Sequence, residues 1–238
     1  MKPRPSENLA TLITHHGRYL IFGLAAGFAL ASLQPLGSMF NAVSLVTAYA
    51  SIALLGATLL FGPLHVLKGG RPIISTTSRR HLGVWSGVFA IIHVAAGLNV
   101  HLGGRYLDYF LTPGIDRSIR LDAFGAANNI GLVATLLVLV LMIISRDRWI
   151  RSMGAVRWKR LQRGAYWLTF LIFAHGFLYQ AIEGRPAVPI FALILIMAVI
   201  VAYQMAARAR WRGRDVRQFS EQQADPPRDE SAFDGGRD

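Results

Sequence analysis

The chain contains seven histidines, and two of them stand in the middle of long apolar stretches. His93 lies in the stretch AIIHVAAGL and His175 in LIFAHGFLY, whereas the other five are nearer to polar segments. An ionisable group at membrane depth is costly, so it usually faces the interior of a helix bundle and has a function there. Imidazole is a common metal ligand and a standard axial ligand of haem iron. These two residues are therefore the first candidates for chemistry.

The two histidines lie at matching distances from basic residues that should mark the same side of a membrane. His93 follows Arg80 by 13 residues, and His175 follows Arg163 by 12 residues. At a rise of 1.5 Å per residue, both would lie about 18–20 Å from those anchors on two parallel helices. Two imidazoles at one depth can clamp a flat metal macrocycle from both faces. Small residues near His93 leave room for such a ring: Ala90, Ala96 and Gly97.

Two other interpretations of the pair stay open at this point. Each histidine could be bonded separately to a backbone carbonyl or to a Ser or Thr hydroxyl. The pair could also bind a different metal, but no carboxylate or cysteine lies at the same depth to complete a four-ligand site. The chain has no cysteine at all, which excludes disulfides, Cys-ligated iron–sulfur clusters and covalent haem attachment through CxxCH.

A second metal site nearer the basic side would involve His81 and Gln162. Both lie at the starts of their apolar stretches, but glutamine is a poor iron ligand. His81 and His93 are 12 residues apart, which turns them about 120° from each other on a straight helix. His65, at the end of another apolar stretch, is the best substitute ligand. We therefore expect one site, with His81 and Gln162 lying near headgroups or the edge of the cofactor.

The composition places the chain in the membrane class, because 53% of its residues are hydrophobic and only 16% are charged. Crossing the hydrocarbon layer takes about 20 mostly apolar residues per helix. We predict an all-α membrane protein with a six-transmembrane-helix bundle. Its apolar stretches run approximately over residues 19–33, 42–66, 82–102, 128–144, 166–182 and 188–206.

The net charge of +12 follows membrane orientation rather than nucleic-acid binding. Basic residues are in excess in every second connection, which predicts that both termini are cytoplasmic. The most basic connection lies between the fourth and fifth apolar stretches and carries Arg146, Arg148, Arg151, Arg157, Lys159, Arg160 and Arg163. The outer connection over 103–127 balances Arg105, Arg117 and Arg120 with Asp108, Asp116 and Asp122.

Three regions follow from this pattern. Residues 1–18 form a cytoplasmic N-terminal segment, residues 19–212 the transmembrane domain, and residues 213–238 a polar cytoplasmic tail that we expect to be disordered. The first apolar stretch lacks a small-residue cleavage site, so we expect a retained helix. The protein should be a multi-pass protein of the bacterial inner membrane, in contact with lipid.

Two segments, SRRHLGVWSGVFAIIHVAAGL and MGAVRWKRLQRGAYWLTFLIFAHGF, resemble the ferric reductase-like transmembrane domain family. Within that family the likeness is greatest to haem-binding membrane subunits of the MsrQ (YedZ) type, over about residues 40–205. The resemblance implies a b-type haem held by His93 and His175. It further implies electron transfer across the membrane from quinol or a cytoplasmic flavin reductase to a periplasmic oxidoreductase. MsrQ-type sequences have histidine where this chain has Gln162.

Two other functions compete with that of an electron-transfer subunit. A self-contained reductase of ferric iron or oxygen would use the outer connection, where Asp108, Asp116 and Asp122 could attract cations. A non-redox transporter or scaffold would bind no haem, although the internal repeats and paired broken helices typical of transporters are absent from the sequence. No GxGxxG follows a predicted strand, so quinol or a separate flavoprotein is the expected electron source. We assign no catalytic residue.

Overall fold

The computed structural model describes the backbone of residues 9–70 and 73–224, and side chains over 16–70 and 73–213. Seven α-helices and one 3-10 helix occupy these ranges. The helices are α1 (Leu9–Ala31), α2 (Met39–Leu67), α3 (Thr76–Gly97), η1 (Tyr106–Tyr109), α4 (Ala123–Ile144), α5 (Asp147–Gln162), α6 (Gly164–Ile182) and α7 (Ala187–Ala224). Within the described ranges, extended structure is limited to one antiparallel bridge between Leu111 and Ile119. The predicted all-helical class is confirmed.

Four helical segments are long and apolar enough to cross a membrane. They are Met39–Leu67, Ala123–Ile144, the continuous α5–α6 segment Asp147–Ile182, and Ala187–Gly213. The protein is therefore a helical membrane protein. The remaining two of the six predicted spans correspond to α1 and α3, and their crossing stays a prediction, as does the cytoplasmic placement of the termini. The first turns of α3 carry Arg79, Arg80 and His81, which lower its apolar content.

The bundle is organised around α2 and α4. α2 packs against α1, α3 and α7, and α4 packs against α3, α5 and α6. The largest core cluster joins α2, α4, α6 and α7 through residues such as Leu55, Val138, Leu168 and Ile200. These contacts bring α3 and α6, the helices that carry His93 and His175, to either side of one interior space.

Side-chain caps set where three of the helices begin. Ser38 accepts from the backbone nitrogen of Asn41, Ser75 accepts from that of Ser78, and Asp122 accepts from that of Gly125. Each cap satisfies a backbone N–H that the first helical turn leaves without a partner. The cap at Asp122 fixes the start of α4, which forms one wall of the site described below.

Two connections differ from a simple loop. The basic segment between the fourth and fifth predicted spans contains α5, with a break at Gly154, whose φ of 75° is left-handed. At the other end of the chain, α7 continues as helix to Ala224. The predicted disorder of residues 213–238 stays a prediction, since residues 225–238 lie outside those that the structure describes.

Candidate functional site

The His93 ring is fixed against α2. Its Nδ1 lies 2.9 Å from the backbone oxygen of Ser44 and 3.0 Å from the hydroxyl of the same residue. A carbonyl oxygen only accepts hydrogen bonds, so Nδ1 must carry the proton and donate it. In the neutral ring the lone pair is then on Nε2. This is the tautomer that metal-binding histidines adopt when a carbonyl orients them from behind.

His175 is held in the same manner by a different helix. Its Nδ1 lies 2.8 Å from the backbone oxygen of Ala127 on α4, and it therefore donates there. The lone pair of this ring is again left on Nε2. Two histidines on α3 and α6 thus share one tautomer because carbonyls of α2 and α4 face them.

The two rings face a common space. Their centroids are 6.1 Å apart and their planes are inclined by 76°. Two metal–imidazole bonds of about 2 Å, plus the roughly 1.1 Å radius of each ring, add up to about 6 Å. The centroid separation therefore matches that of two imidazoles bound to one metal ion. Among the described residues, no group of three or more His, Cys, Asp or Glu could hold a metal ion alone.

Both histidines line a cavity of about 350 Å³ between α2, α3, α4 and α6. This volume is within the range of small-molecule and cofactor sites. Around and inward of the histidines the wall is mostly apolar, with Ile52, Ala90, Leu132 and Ile172. The hydroxyl of Thr135, also in the wall, is bonded to the Gly131 backbone oxygen at 2.7 Å.

Glycine at position 131 is required for the close approach of α4 to His175. A Cβ added there would lie 2.8 Å from Nδ1 and 2.9 Å from Cε1 of His175. Real Cβ atoms essentially never approach other atoms so closely. The absence of a side chain at Gly131 therefore helps to place the His175 ring.

The outer connection closes over one end of this cavity. Tyr109 is 1% exposed, and its hydroxyl accepts from the backbone nitrogen of His101 at 3.0 Å. Tyr109 and Phe110 both line the cavity. Arg120 supports the loop by donating to the backbone oxygen of Asp108 at 2.9 Å and to the carboxylate of Asp122. The connection thus folds over this end of the bundle and closes the cavity there.

Polar and aromatic side chains concentrate at the same outer end. The His175 ring lies 5.0 Å from that of Tyr179, and the Tyr179 ring stacks on His101 at 6.1 Å. Nε2 of His101 lies 3.2 Å from the Glu183 carboxylate, which also pairs with Arg185. Burial raises the pKa of Glu183, but the His101 hydrogen bond and the Arg185 charge outweigh it and hold that pKa below its usual value. A series of rings thus connects His175 to a charged mouth of the cavity beside the connection over 103–127.

His81, the candidate second ligand, lies in a different environment. Its ring is 5.2 Å from that of His16 and 5.9 Å from that of Tyr19, both on α1. Trp85 donates from its indole nitrogen to Nδ1 of His16 at 3.2 Å. The histidine that the structure brings to His81 is therefore His16, which sequence spacing did not single out.

The other two candidates of the second site do not join His81. Gln162 donates to the Ser145 hydroxyl at 3.1 Å, at the end of α4. His65 is half-buried in the last turn of α2. Neither residue has a hydrogen bond or ring contact with His81 among the described side chains. The structure thus assembles two of the five candidate residues, His93 and His175, around one cavity.

Sequence reasoning missed the residues that orient the two rings. Ser44 and Ala127 act through their backbone oxygens, which no residue type can signal. Gln180, which also lines the cavity, was missed as well. Tyr179 could be placed near the site from sequence, because it follows His175 by four residues, a spacing that puts the two on one helix face.

Two curated relatives are similar to the chain. The haem-binding subunit MsrQ of a protein-methionine-sulfoxide reductase from Azospira oryzae is 30% identical over 159 residues, which cover 66% of this chain and 61% of the relative. The magnetosome protein MamZ from Magnetospirillum gryphiswaldense is 28% identical over 142 residues, covering 58% of this chain and 19% of the relative. No family model and no solved structure matches the chain. The chain thus spans under two thirds of each relative, and its likeness is to a haem-binding subunit and a magnetosome protein.

Proposed function

We propose that the protein holds one b-type haem between His93 and His175 and transfers electrons across the membrane. The observation that carries this proposal is the common orientation of the two rings. Each Nδ1 donates to a backbone oxygen of a neighbouring helix, and the ring centroids are 6.1 Å apart. Two histidines that served only in packing, each with its own hydrogen bond, would need neither a shared cavity nor a centroid separation that matches two imidazoles on one metal ion.

The chain's own residues have defined roles in this proposal. The Ser44 and Ala127 carbonyls keep both rings in the tautomer that leaves Nε2 as the ligand atom. The apolar wall excludes water from the metal's surroundings, and haem, when bound, supplies a reversible one-electron couple. We further propose that the electrons come from quinol or a cytoplasmic flavin partner, in a bacterial inner membrane. They would leave at the outer face toward a periplasmic oxidoreductase.

The outer mouth suits the acceptor side of this transfer. Tyr179, His101 and Phe124 form contiguous ring contacts between His175 and the loop that covers the cavity. A partner that docks on this loop would approach the metal site through packed rings rather than through lipid. The similarity to MsrQ, a haem-binding subunit by name, supports a partner of the methionine-sulfoxide reductase class.

A self-contained ferric reductase has less support. Asp108 is buried and pairs with Arg105 at 3.6 Å, and Asp122 is engaged by Arg120 and by the first turn of α4. Among the described residues, Asp116 is the one of the three loop carboxylates that forms neither an ion pair nor a helix cap. A cation site in this loop would need those pairs to break first.

The test is an absorption spectrum of the purified full-length protein and three variants. Wild type should show reducible b-type bands, and His93→Leu and His175→Leu should lose them. The matched control is His65→Leu, which removes a half-buried histidine of the same bundle and should retain the bands. A folded wild type that takes up no haem would overturn the proposal, as would retention of unchanged bands in both ligand variants.

A further inference from the structure

The cavity that contains His93 and His175 is chemically asymmetric along the membrane normal. Its inner part is apolar, and the hydroxyls that face it are bonded within the protein, as at Thr135 and Ser51. Its outer part is lined by charged and hydrogen-bonding groups. These are Asn41, Tyr49, His101, Asn128, Gln180, Glu183 and Arg185.

Arg185 is the cation of this outer part. Its side chain is only 12% exposed, and it donates from Nε and Nη2 to the same carboxylate oxygen of Glu183. A guanidinium has five N–H donors, so this pairing leaves capacity for a second carboxylate. Glu183 therefore holds Arg185 at the mouth without saturating it.

Tyr49 supplies a second donor beside the cavity. Its hydroxyl accepts from the side-chain nitrogens of Gln34 at 3.3 Å and Gln180 at 3.0 Å. The amide oxygens of both glutamines are buried and lack a hydrogen-bond partner, and the Tyr49 ring is only 5% exposed. Turning either amide over lets its oxygen accept the Tyr49 proton and puts an amide N–H₂ in its place, so this group offers a donor in either arrangement.

This inference rests on the proposed haem site. We propose that Arg185 and Tyr49 bind the carboxylate edge of the macrocycle and direct that edge to the outer mouth. A b-type haem is amphiphilic, since its two propionate carboxylates share one edge and the opposite edge is hydrocarbon. Charged groups at membrane depth are costly, so this edge belongs where the cation and the polar group around Tyr49 are. The inner apolar wall accommodates the hydrocarbon edge.

Glu183 allows the electrostatic contribution of Arg185 to be tested separately from its packing. It lies between His101 and Arg185, and its negative charge opposes a carboxylate placed beside Arg185. Glu183→Gln removes that charge but keeps an amide oxygen that can accept from the guanidinium. Arg185→Gln removes the cation and leaves the Glu183 carboxylate with its His101 contact. The two substitutions should therefore change carboxylate binding in opposite directions.

The experiment compares two ligands that differ only at that edge. Haem-depleted full-length protein in detergent is titrated with hemin and with hemin dimethyl ester, followed by absorption. Wild type should prefer hemin, and Arg185→Gln should weaken hemin binding about tenfold while leaving the ester unchanged, because charge-assisted bonds are the strong ones. Tyr49→Phe should lose part of the preference, and Glu183→Gln should increase it. Arg105→Gln, which removes an exposed arginine from the connection over 103–127, is the matched control and should change nothing.

The outcomes separate this inference from the haem proposal. If wild type and Arg185→Gln favour hemin over the ester equally, the carboxylate anchor is wrong while the haem site stands. If Arg185→Gln fails to fold, Tyr49→Phe and Glu183→Gln test the anchor instead. A preference for hemin over the ester that is unchanged in both variants contradicts the anchor. If wild type gives a bis-histidine spectrum with neither ligand, the haem site fails and the anchor fails with it.

Discussion

The imidazole rings of His93 and His175 lie 6.1 Å apart, and each is held from behind by a carbonyl oxygen of a different helix. The arrangement is defined by four helices, because α3 and α6 carry the rings while α2 and α4 carry the acceptors. A substitution that moves any of these helices should therefore change metal binding before it unfolds the bundle.

Gly131→Ala should disturb the site without touching a ligand. The added methyl would lie 2.8 Å from Nδ1 of His175, so the ring must turn or α4 must retreat. Either movement breaks the bond to Ala127, and we expect haem affinity to fall about tenfold, and haem content with it, because a hydrogen bond that orients the ligand ring is lost. The measurement is the haem-to-protein ratio after purification.

The control for that substitution is Gly83→Ala on α3, where a Cβ would meet its nearest neighbour, Thr58, at an ordinary 3.8 Å. It should keep the wild-type haem content. Equal losses in the two variants would mean that helix packing in general, rather than contact with His175, governs haem retention.

Ser44→Ala should have a small effect. The hydroxyl of Ser44 lies 3.0 Å from Nδ1 of His93, but the backbone oxygen of the same residue is at 2.9 Å and remains in the variant. We expect haem affinity to change by less than about fivefold, since a neutral hydrogen bond contributes about 1 kcal/mol. A loss as large as that of His93→Leu would show that the hydroxyl, and not the carbonyl, orients the ring.

The outer mouth should lose stability in acid through Glu183. Burial raises the pKa of this residue, but the His101 and Arg185 contacts lower it further, so the folded pKa is below the ordinary value of 4.5. A lowered carboxyl pKa stabilises the fold fully above the ordinary pKa, and this stabilisation is lost as pH falls through the folded pKa. Thermal unfolding midpoints measured from pH 7 to 3.5 should fall more steeply below about pH 4.5 in wild type than in Glu183→Gln.

The exposed Asp116→Asn is the control for that series, because it removes a carboxylate of the same outer face without a described ion pair. Its curve should follow that of wild type. If Glu183→Gln and wild type decline in parallel below pH 4.5, the His101–Glu183–Arg185 contacts do not stabilise the fold.

Membrane orientation can be tested with reporter fusions. The alternating basic segments predict cytoplasmic termini and an outer connection that contains Gly104. Alkaline phosphatase inserted after Gly104 should be active, whereas insertion after Ser152 in α5 should be silent. The reverse pattern would place Glu183 and Arg185 on the cytoplasmic side and would contradict electron delivery to the outer face.

The depth of the two histidines could be predicted from sequence, because helical rise converts residue counts into distances along the membrane normal. Their acceptors could not be predicted, since the Ser44 and Ala127 carbonyls depend on how α2 and α4 rotate against α3 and α6. The contact between His81 and His16 joins residues 65 positions apart, and no local pattern signals such a pairing.

Two connections between the predicted spans, α5 and the segment 103–127, show the same limit. The basic residues of α5 obscured its helix, because a polar connection and an exposed helix have similar composition. The burial of Tyr109 results from tertiary contacts with the end of α3, which fold the connection back over the bundle. In both cases the packing partner, rather than the segment itself, determines the structure.

The central claim is one haem held by two histidines, and its most direct test is stoichiometry combined with ligand identity. The account predicts one b-type haem per chain in wild type, with the low-spin spectrum of two imidazole ligands. It also predicts the same value and spectrum in His81→Leu, whose ring lies with His16 rather than in the cavity. Two haems per chain, or loss of the bis-imidazole spectrum in His81→Leu, would contradict the assignment of His93 and His175 as the ligand pair of a single site.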